Sequence, residues 1–483
     1  MDLRDLVPEH IPYLLPDERV ISVKEEKITF PKKAVSYREA LCLLCNVKNI
    51  KDLGKKGPPM ASIAPRAYFK VASLRLYEAV FGRDSLYMSD HLLDEFPEVA
   101  RTTLLHLARY QGVKKNKFSE EELGRIPHEI RDPKTDTIAQ LITKEKGWEW
   151  PYYGSIDSTL LFIRVLYRYV IETKAGIDFL QEKYIDKNGQ EKIMYDALTR
   201  AVKWILTRMD TNKEGFIETK KAFKGSLAIQ SQQDADTTHP LFHKDGTLGN
   251  PKQGIVVTEV QGQAYDALMY AAELLDSEDL RKKALKLKKQ IMKLWVQEKG
   301  RSYFAPGADR DDKGRLRVLK IKKAIPGFLL NTELFSTNNA QEKQKIRKML
   351  KDWVKVLMSK ELLAAGGLRG LASDEKLFTP YEYHNGATWP LITTEVARGL
   401  RKQGFKKEAE DLENRVLKVI KETGLYPEYV RGDTNKNISL NNKVIYTKSK
   451  KFGIKRREQP PQLYQGWTVS AVANILYNRK ARK

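Results

Sequence analysis

The chain has 483 residues, 41% hydrophobic and 31% charged, enough for two or three ordinary domains or one large helical toroid. No apolar run approaches the ~18 residues of a membrane span, and Met1-Asp-Leu-Arg-Asp-Leu carries acids without a secretory core, so a cytosolic location is expected. Lysine and arginine outnumber acids 86 to 62, a net charge of +24. The excess lies in short clusters (Lys114-Lys115, Lys282-Lys283, Lys322-Lys323, Lys448 to Lys451). They read as solubilising surface, with no zinc-finger or RRM-type motif to make nucleic acid the expected partner.

Residues 1–35 are short, mixed and rich in turn residues, an N-terminal extension to the domain expected over 36–483. Ser36 with Glu39 forms a capping box ahead of a first helix. Apolar spacings of three and four predict further helices over 66–81, 84–96, 97–111, 136–144, 155–173 and 192–209. The second half adds 258–275, 279–298, 341–359, 388–403, 407–423 and 466–479. Cys42 and Cys45 fall within helical patterning with no second pair, and read as small hydrophobes rather than a zinc or redox site. Short links join helices within pairs, while long loops recur between them: 112–135, 145–154, 210–257, 300–338, 360–387 and 424–464. Loops this long are usually functional. The rhythm predicts an all-α fold of six helix pairs closed into an (α/α)6 toroid, with the loops meeting at one mouth.

Those loops hold the chemistry-bearing residues. Lys146 to Phe162 begins as a loop with Trp148, Trp150, Tyr152 and Tyr153, then becomes an apolar helix at Asp157. The plain role of such an aspartate is to cap the helix. Aromatic faces beside a carboxyl group are instead how a sugar ring is held against an acid. Gly82-Arg83-Asp84-Ser85 reads most simply as a helix break with an N-cap aspartate. Tyr381 to Pro390, with Tyr383, His384, Asn385 and Trp389, makes a polar pocket with aromatic walls. Glu428 follows a helix end beside Tyr429, Gln465 and Trp467 open the last helix, and Asp234, Glu259 and Gln261 complete the set. His239 and His243 stand four apart, but Pro240 between them favours a structural reading over a metal site. No cofactor motif is present, so neither metal nor cofactor is expected.

In order, Gly82-Arg-Asp, Ile126-Pro127, Tyr153-Gly-Ser-Ile-Asp157, Asp234, Glu259-Val-Gln261-Gly, Tyr383-His-Asn-Gly386, Trp389-Pro, Gly424 to Glu428 and Gln465-Gly-Trp467 resemble the glucosidase domain of glycogen debranching enzymes. The likeness runs from about residue 66 to the C-terminus. The wider group includes processing α-glucosidases, mannosylglycerate hydrolases, trehalases and glucoamylases. The resemblance implies an (α/α)6 barrel that hydrolyses glycosides with inversion, Asp157 as general acid and Glu428 as general base. It places Arg83 and Asp84 on a terminal sugar's hydroxyls. Asp234, Glu259, Gln261, His384, Asn385, Trp389 and Trp467 would line the same pocket. The expected function is exo-acting α-glucosidase on α-glucosides or glycogen-like oligosaccharides. The alternatives are hydrolysis of small anionic glycosides such as glucosylglycerate or mannosylglycerate, and a non-catalytic glycan- or nucleic-acid-binding role. Gln232 and Gln233 depart from the tryptophan and lysine common before the aspartate matched by Asp234, and His128 replaces an expected asparagine.

Overall fold

The computed structural model describes residues 19–25, 35–63, 77–219, 241–250, 253–298, 300–433, 435–449, 453–458 and 461–482. Asp234, its glutamine neighbours and His239 lie outside these, as does most of the helix expected over 66–81.

The helices follow the predicted pairing. They are α1 (Tyr37–Leu44), α2 (Gly82–Leu92), α3 (Pro97–Arg109), α4 (Thr137–Lys146), α5 (Ser158–Glu172) and α6 (Met194–Met209). The second half contributes α7 (Thr258–Leu274), α8 (Glu278–Ile291), α9 (Ala340–Leu357), α10 (Pro390–Lys402), α11 (Lys406–Thr423) and α12 (Gly466–Ala481). Around the centre, α2 packs on α5, α5 on α7, α10 on α12, and α12 back on α2. Between α7 and α10 the ring is completed by the 3-10 segment Ile325–Asn331, which touches both. The outer helices α3, α6, α8, α11 and α1 cover α2, α5, α7, α10 and α12, and α9 packs on the hairpin Trp295–Glu298/Arg301–Phe304. The molecule is an all-α (α/α)6 toroid, and α4 is an extra helix in a long loop.

Sequence patterning assigns 300–338 to loop because its inner element contains Pro326 and Gly327, poor α-helix formers. Tertiary packing overrides that weakness, and glycines make it possible. A Cβ on Gly262 of α7 would lie 2.3 Å from Leu329 Cδ2, and one on Gly399 of α10 2.6 Å from Leu330 Cβ. The helix expected to reach 298 stops at Ile291, since Trp295–Glu298 pairs as a strand and turns Trp295 onto Phe304 and Trp353. Cys45 is buried and Cys42 half-buried beside the α1–α12 core, as small hydrophobes.

Short β-pairings pin the entry to the inner elements. Val80–Phe81 pairs with Glu129–Ile130 before α2, and Tyr464–Gln465 with Ser62–Ile63 before α12. Bridges Lys323–Leu371 and Thr388–Val430 precede the 3-10 segment and α10. A four-stranded antiparallel sheet leads into α7. In addition to β1 (Arg19–Glu25), the strands are β2 (Glu218–Thr219), β3 (Ile255–Val257), β4 (Gly307–Arg310) and β5 (Leu316–Val318), ordered β5-β4-β3-β2. Two later strands, β6 (Lys443–Ser449) and β7 (Gly453–Glu458), form a second sheet with β1, which pairs with β6.

The opposite end of the inner ring is closed by buried charge. Asp90 of α2 accepts from Arg168 of α5 and Arg398 of α10, both at 2.6 Å, with Arg164 at 3.4 Å. His91 meets Glu395 of α10 and Ser470 of α12, both at 3.0 Å. Burial would raise both carboxyls, but Arg164, Arg398 and Arg168 hold Asp90 well below its ordinary value. Arg398 and His91 do the same for Glu395, while burial lowers His91.

Two outcomes follow from this packing. Gly399→Ala forces a methyl group into Leu330 and the backbone of Asn331, and is expected to cost about 1–3 kcal/mol, read as a lower thermal midpoint. The depressed carboxylates contribute stability that is complete above about pH 4 and lost as pH falls further. His91 acts in the same direction, because below about pH 6.5 the unfolded chain binds its proton more readily. Thermal melts from pH 8 to pH 3 are therefore expected to fall on the acid side, and Glu395→Gln to lower the midpoint at pH 7 while flattening that acid fall.

Candidate active site

The residues singled out around Asp157 and Glu428 gather where the inner elements begin. Arg83 and Asp84 occupy the first turn of α2, with Phe81 as the N-cap rather than Asp84. The cause is close backbone approach: Gly82 N–H donates to His128 O at 2.8 Å, and a Cβ on Gly82 would lie 2.1 Å from Pro127 O. Asp157 is the residue before α5, yet its side chain caps nothing. Its Oδ2 accepts Arg83 Nε at 2.7 Å, while Oδ1 is buried and makes no hydrogen bond among the described residues. Burial raises the Asp157 carboxyl above its ordinary value, and the opposing pull of the Arg83 cation is smaller. The capping role is thus replaced by a desolvated carboxyl of raised proton affinity beside a guanidinium.

Contacts lead from this acid to the late loops. Asp84 Oδ1 accepts Gln465 Nε2 at 3.0 Å, and Gln465 N–H donates to Tyr426 O at 2.9 Å. Two residues beyond Tyr426 stands Glu428, buried, after the left-handed cap Gly424 that ends α11. Glu428 Oε1 accepts a short hydrogen bond from the Tyr383 hydroxyl, and Oε2 accepts Gln462 N–H at 3.3 Å. Tyr383 packs edge-on against Trp389 at 4.5 Å, and Trp389 stacks on His384 and Tyr429 and lies 6.1 Å from Trp467. Trp389 Nε1 donates to Tyr383 O at 2.7 Å. Gln465 Oε1 and Trp467 Nε1 are buried and make no hydrogen bond among the described residues. Such atoms need a polar partner, and sugar hydroxyls supply both donors and acceptors.

Other singled-out residues have different surroundings. Trp148 stacks on Tyr152 at 3.9 Å, and Trp150 joins them against Ile138 and Ile142 of α4. Trp150 Nε1 donates to Thr143 Oγ1 at 3.0 Å. This aromatic loop makes a small core of its own beneath α4, an outlet for apolar area that the sequence left unassigned. Tyr153 donates to Tyr110 O at 2.6 Å and accepts Lys187 Nζ at 2.9 Å, so its hydroxyl braces the outer wall. Gln261 accepts Ile217 N–H and donates to Ile217 O and Val257 O, fastening the loop before β2 to α7. Glu259 in the first turn of α7 is buried near Lys323, His384 O accepts Lys323 Nζ at 2.9 Å, and Asn385 Oδ1 accepts it at 3.3 Å. His243, the second histidine of the spaced pair, meets Asp309 at 3.2 Å.

Four participants escape a reading of the sequence alone. Lys323 and Lys322 are buried rather than part of the charged surface; their flanking Ile321, Ala324 and Ile325 are the available signal. Glu382 is buried within the Tyr381–Pro390 loop. Gln462 holds Glu428 through its backbone N–H and carbonyl, contacts that leave no mark on side-chain identity.

Comparison with known proteins matches this architecture. The GH63 mannosylglycerate hydrolase from Thermus thermophilus in complex with Tris and D-glycerate has a TM-score of 0.56 at 13% identity, covering 92% of this chain and 100% of that one. The same enzyme in complex with Tris gives 0.51 at 14% identity with the same coverage. At such identities the likeness establishes the fold. No curated protein sequence matches the chain. A profile described as the mannosylglycerate hydrolase MGH1-like glycoside hydrolase domain matches residues 182–453, a span that includes Glu428 and begins after Asp157. With more than half of its length in that match, the chain belongs to the mannosylglycerate hydrolase MGH1-like glycoside hydrolase family.

Proposed function

We propose that this glycoside hydrolase is an inverting, exo-acting α-glycosidase in which Asp157 is the general acid and Glu428 the general base. The observation that carries the reading is the contrast between two carboxyl groups linked through one mouth. Asp157 has its proton affinity raised by burial, and Glu428 is gripped by a hydroxyl and an N–H. Carboxyls whose surroundings push them apart in this way divide into acid and base. Asp157 would deliver its proton to the glycosidic oxygen as the bond to the anomeric carbon breaks. Glu428 would take a proton from a water attacking the opposite face, so the new hydroxyl emerges with inverted configuration.

Arg83 does more than neutralise. It orients the acid and, through neighbouring Asp84 and Gln465, ties the first turn of α2 to the loop of the base. Trp467 would supply a ring for a sugar, backed by Trp389 and Tyr383.

The motif order supports a terminal glucose on α-glucosides or glycogen-like oligosaccharides as the first substrate class. Small anionic glycosides such as mannosylglycerate or glucosylglycerate are the second, favoured by the family match and by the solved relative bound to D-glycerate. Cytosolic localisation remains part of the proposal. A panel of isomaltose, panose, glucosylglycerate and mannosylglycerate separates the substrate classes by kcat/KM.

Asp157→Asn and Glu428→Gln are each expected to lower kcat about 10²–10⁴-fold, with binding of a monosaccharide inhibitor preserved by calorimetry. Proton NMR of the first product should show the anomer opposite to the substrate's; retention would refute the mechanism. The alkaline limb of the kcat/KM profile follows ionisation of Asp157. Because the Arg83 cation lowers this group, Arg83→Met is expected to move that limb upward. An unmoved limb would remove Asp157 from the acid role.

A further inference from the structure

Lys323 stands two residues before the inner 3-10 segment, where its backbone bridges Leu371, and is 3% exposed. It therefore holds, in the fourth inner element, the place that Arg83, Asp157, Glu259, Trp389 and Gln465 hold in the other five. Burying a lysine this deeply is costly without compensation. Compensation comes from Glu382, Glu259 and Glu375, while burial itself brings the ammonium down to about 8. Burial likewise lifts Glu382 to about 7, against the pull of Lys323.

Its hydrogen bonds point to a purpose beyond neutralisation. Lys323 Nζ donates to His384 O and Asn385 Oδ1. Asn385 N–H in turn closes on Glu382 through a short hydrogen bond. Three consecutive residues are thereby divided among three tasks. Tyr383 grips Glu428, the His384 ring lies flat on Trp389 at 4.6 Å, and Asn385 is held by the lysine and Glu382. A shift of that corner carries Tyr383 with it, and so the carboxylate it holds.

We propose that Lys323 is a positioning residue for hydrolysis: its ammonium clamps the His384–Asn385 corner and thereby sets Tyr383 against Glu428. The inference rests on reading Glu428 as the base. The competing role is plain neutralisation of Glu382 and Glu259, and the two differ in what charge removal repairs.

The test measures kcat, KM and thermal midpoint for wild type, Glu428→Gln, Lys323→Met and the doubly neutral Lys323→Met/Glu382→Gln, on the best α-glycoside of the panel. Lys323→Arg, which keeps the charge and relocates the donors, is a fifth variant in case the methionine variants fail to fold. The expected result is a double variant with its thermal midpoint largely recovered, but kcat still roughly 10–100-fold down and KM changed less than kcat. Lys323→Arg should likewise lose kcat. Wild-type kcat in the double variant or in Lys323→Arg, with Glu428→Gln inactive, overturns the inference alone. Full activity in Glu428→Gln overturns the base assignment and the inference together.

Discussion

The structure depends on one geometric constraint: six inner elements run the same way, so their starting turns open on one mouth. Each α-helix begins with N–H groups that no residue of its own helix can satisfy, and carries a partial positive charge there. Gathering these ends favours carboxyl groups at the helix starts, where Asp84 and Glu259 lie in first turns and Asp157 just before one. The opposite ends carry the reverse polarity, and α10 places Arg401 and Lys402 in its last turn. The direction of the chain thus favours acids at the mouth before any substrate is considered, while the floor arginines are matched by Asp90 and Glu395.

Within that constraint the two principal carboxyl groups are treated differently. Asp157 sits where burial prevails over a single guanidinium, whereas Glu428, on the loop after an outer helix, receives its donors from Tyr383 and the backbone of Gln462. On the proposed reading, the early loop would supply the proton and the late loop would accept one. The Arg83–Asp84–Gln465 relay keeps the two loops in register. Aromatic stacking around Trp389 stiffens the late side, because His384, Tyr383 and Tyr429 all lean on it. The floor network of Asp90, His91, Glu395 and three arginines joins α2, α5, α10 and α12 without contributing to the chemistry.

Much of this was legible in the sequence because helical periodicity survives in α5, α6, α10 and α11, whose apolar stripes repeat at three and four. The site's loops could be found because polar and aromatic residues were crowded where helices stopped. Three things were hidden for physical reasons. The 3-10 segment is held by its neighbours rather than by its own propensity, so Pro326 and Gly327 disguised it. Trp148 and Trp150 looked like a sugar platform because sequence does not reveal that α4 folds back onto them. Lys323 resembled its exposed counterparts because a lysine's burial is decided by distant partners, here Glu259 and residues 382–385.

The short inner segment also shapes the far side of the molecule. Seven residues of 3-10 helix rise about 14 Å, whereas the seventeen of α7 rise about 25 Å. The ring thus stops short in one sector, and a pocket of about 630 Å³ opens there between Tyr270, Asn331, Glu333, Arg398 and Lys402. A side chain lengthened on that side meets space where one lengthened at Gly262 or Gly399 meets packed atoms. Added side-chain volume is therefore tolerated better beneath the stunted sector than at Gly262 or Gly399 on its flanks.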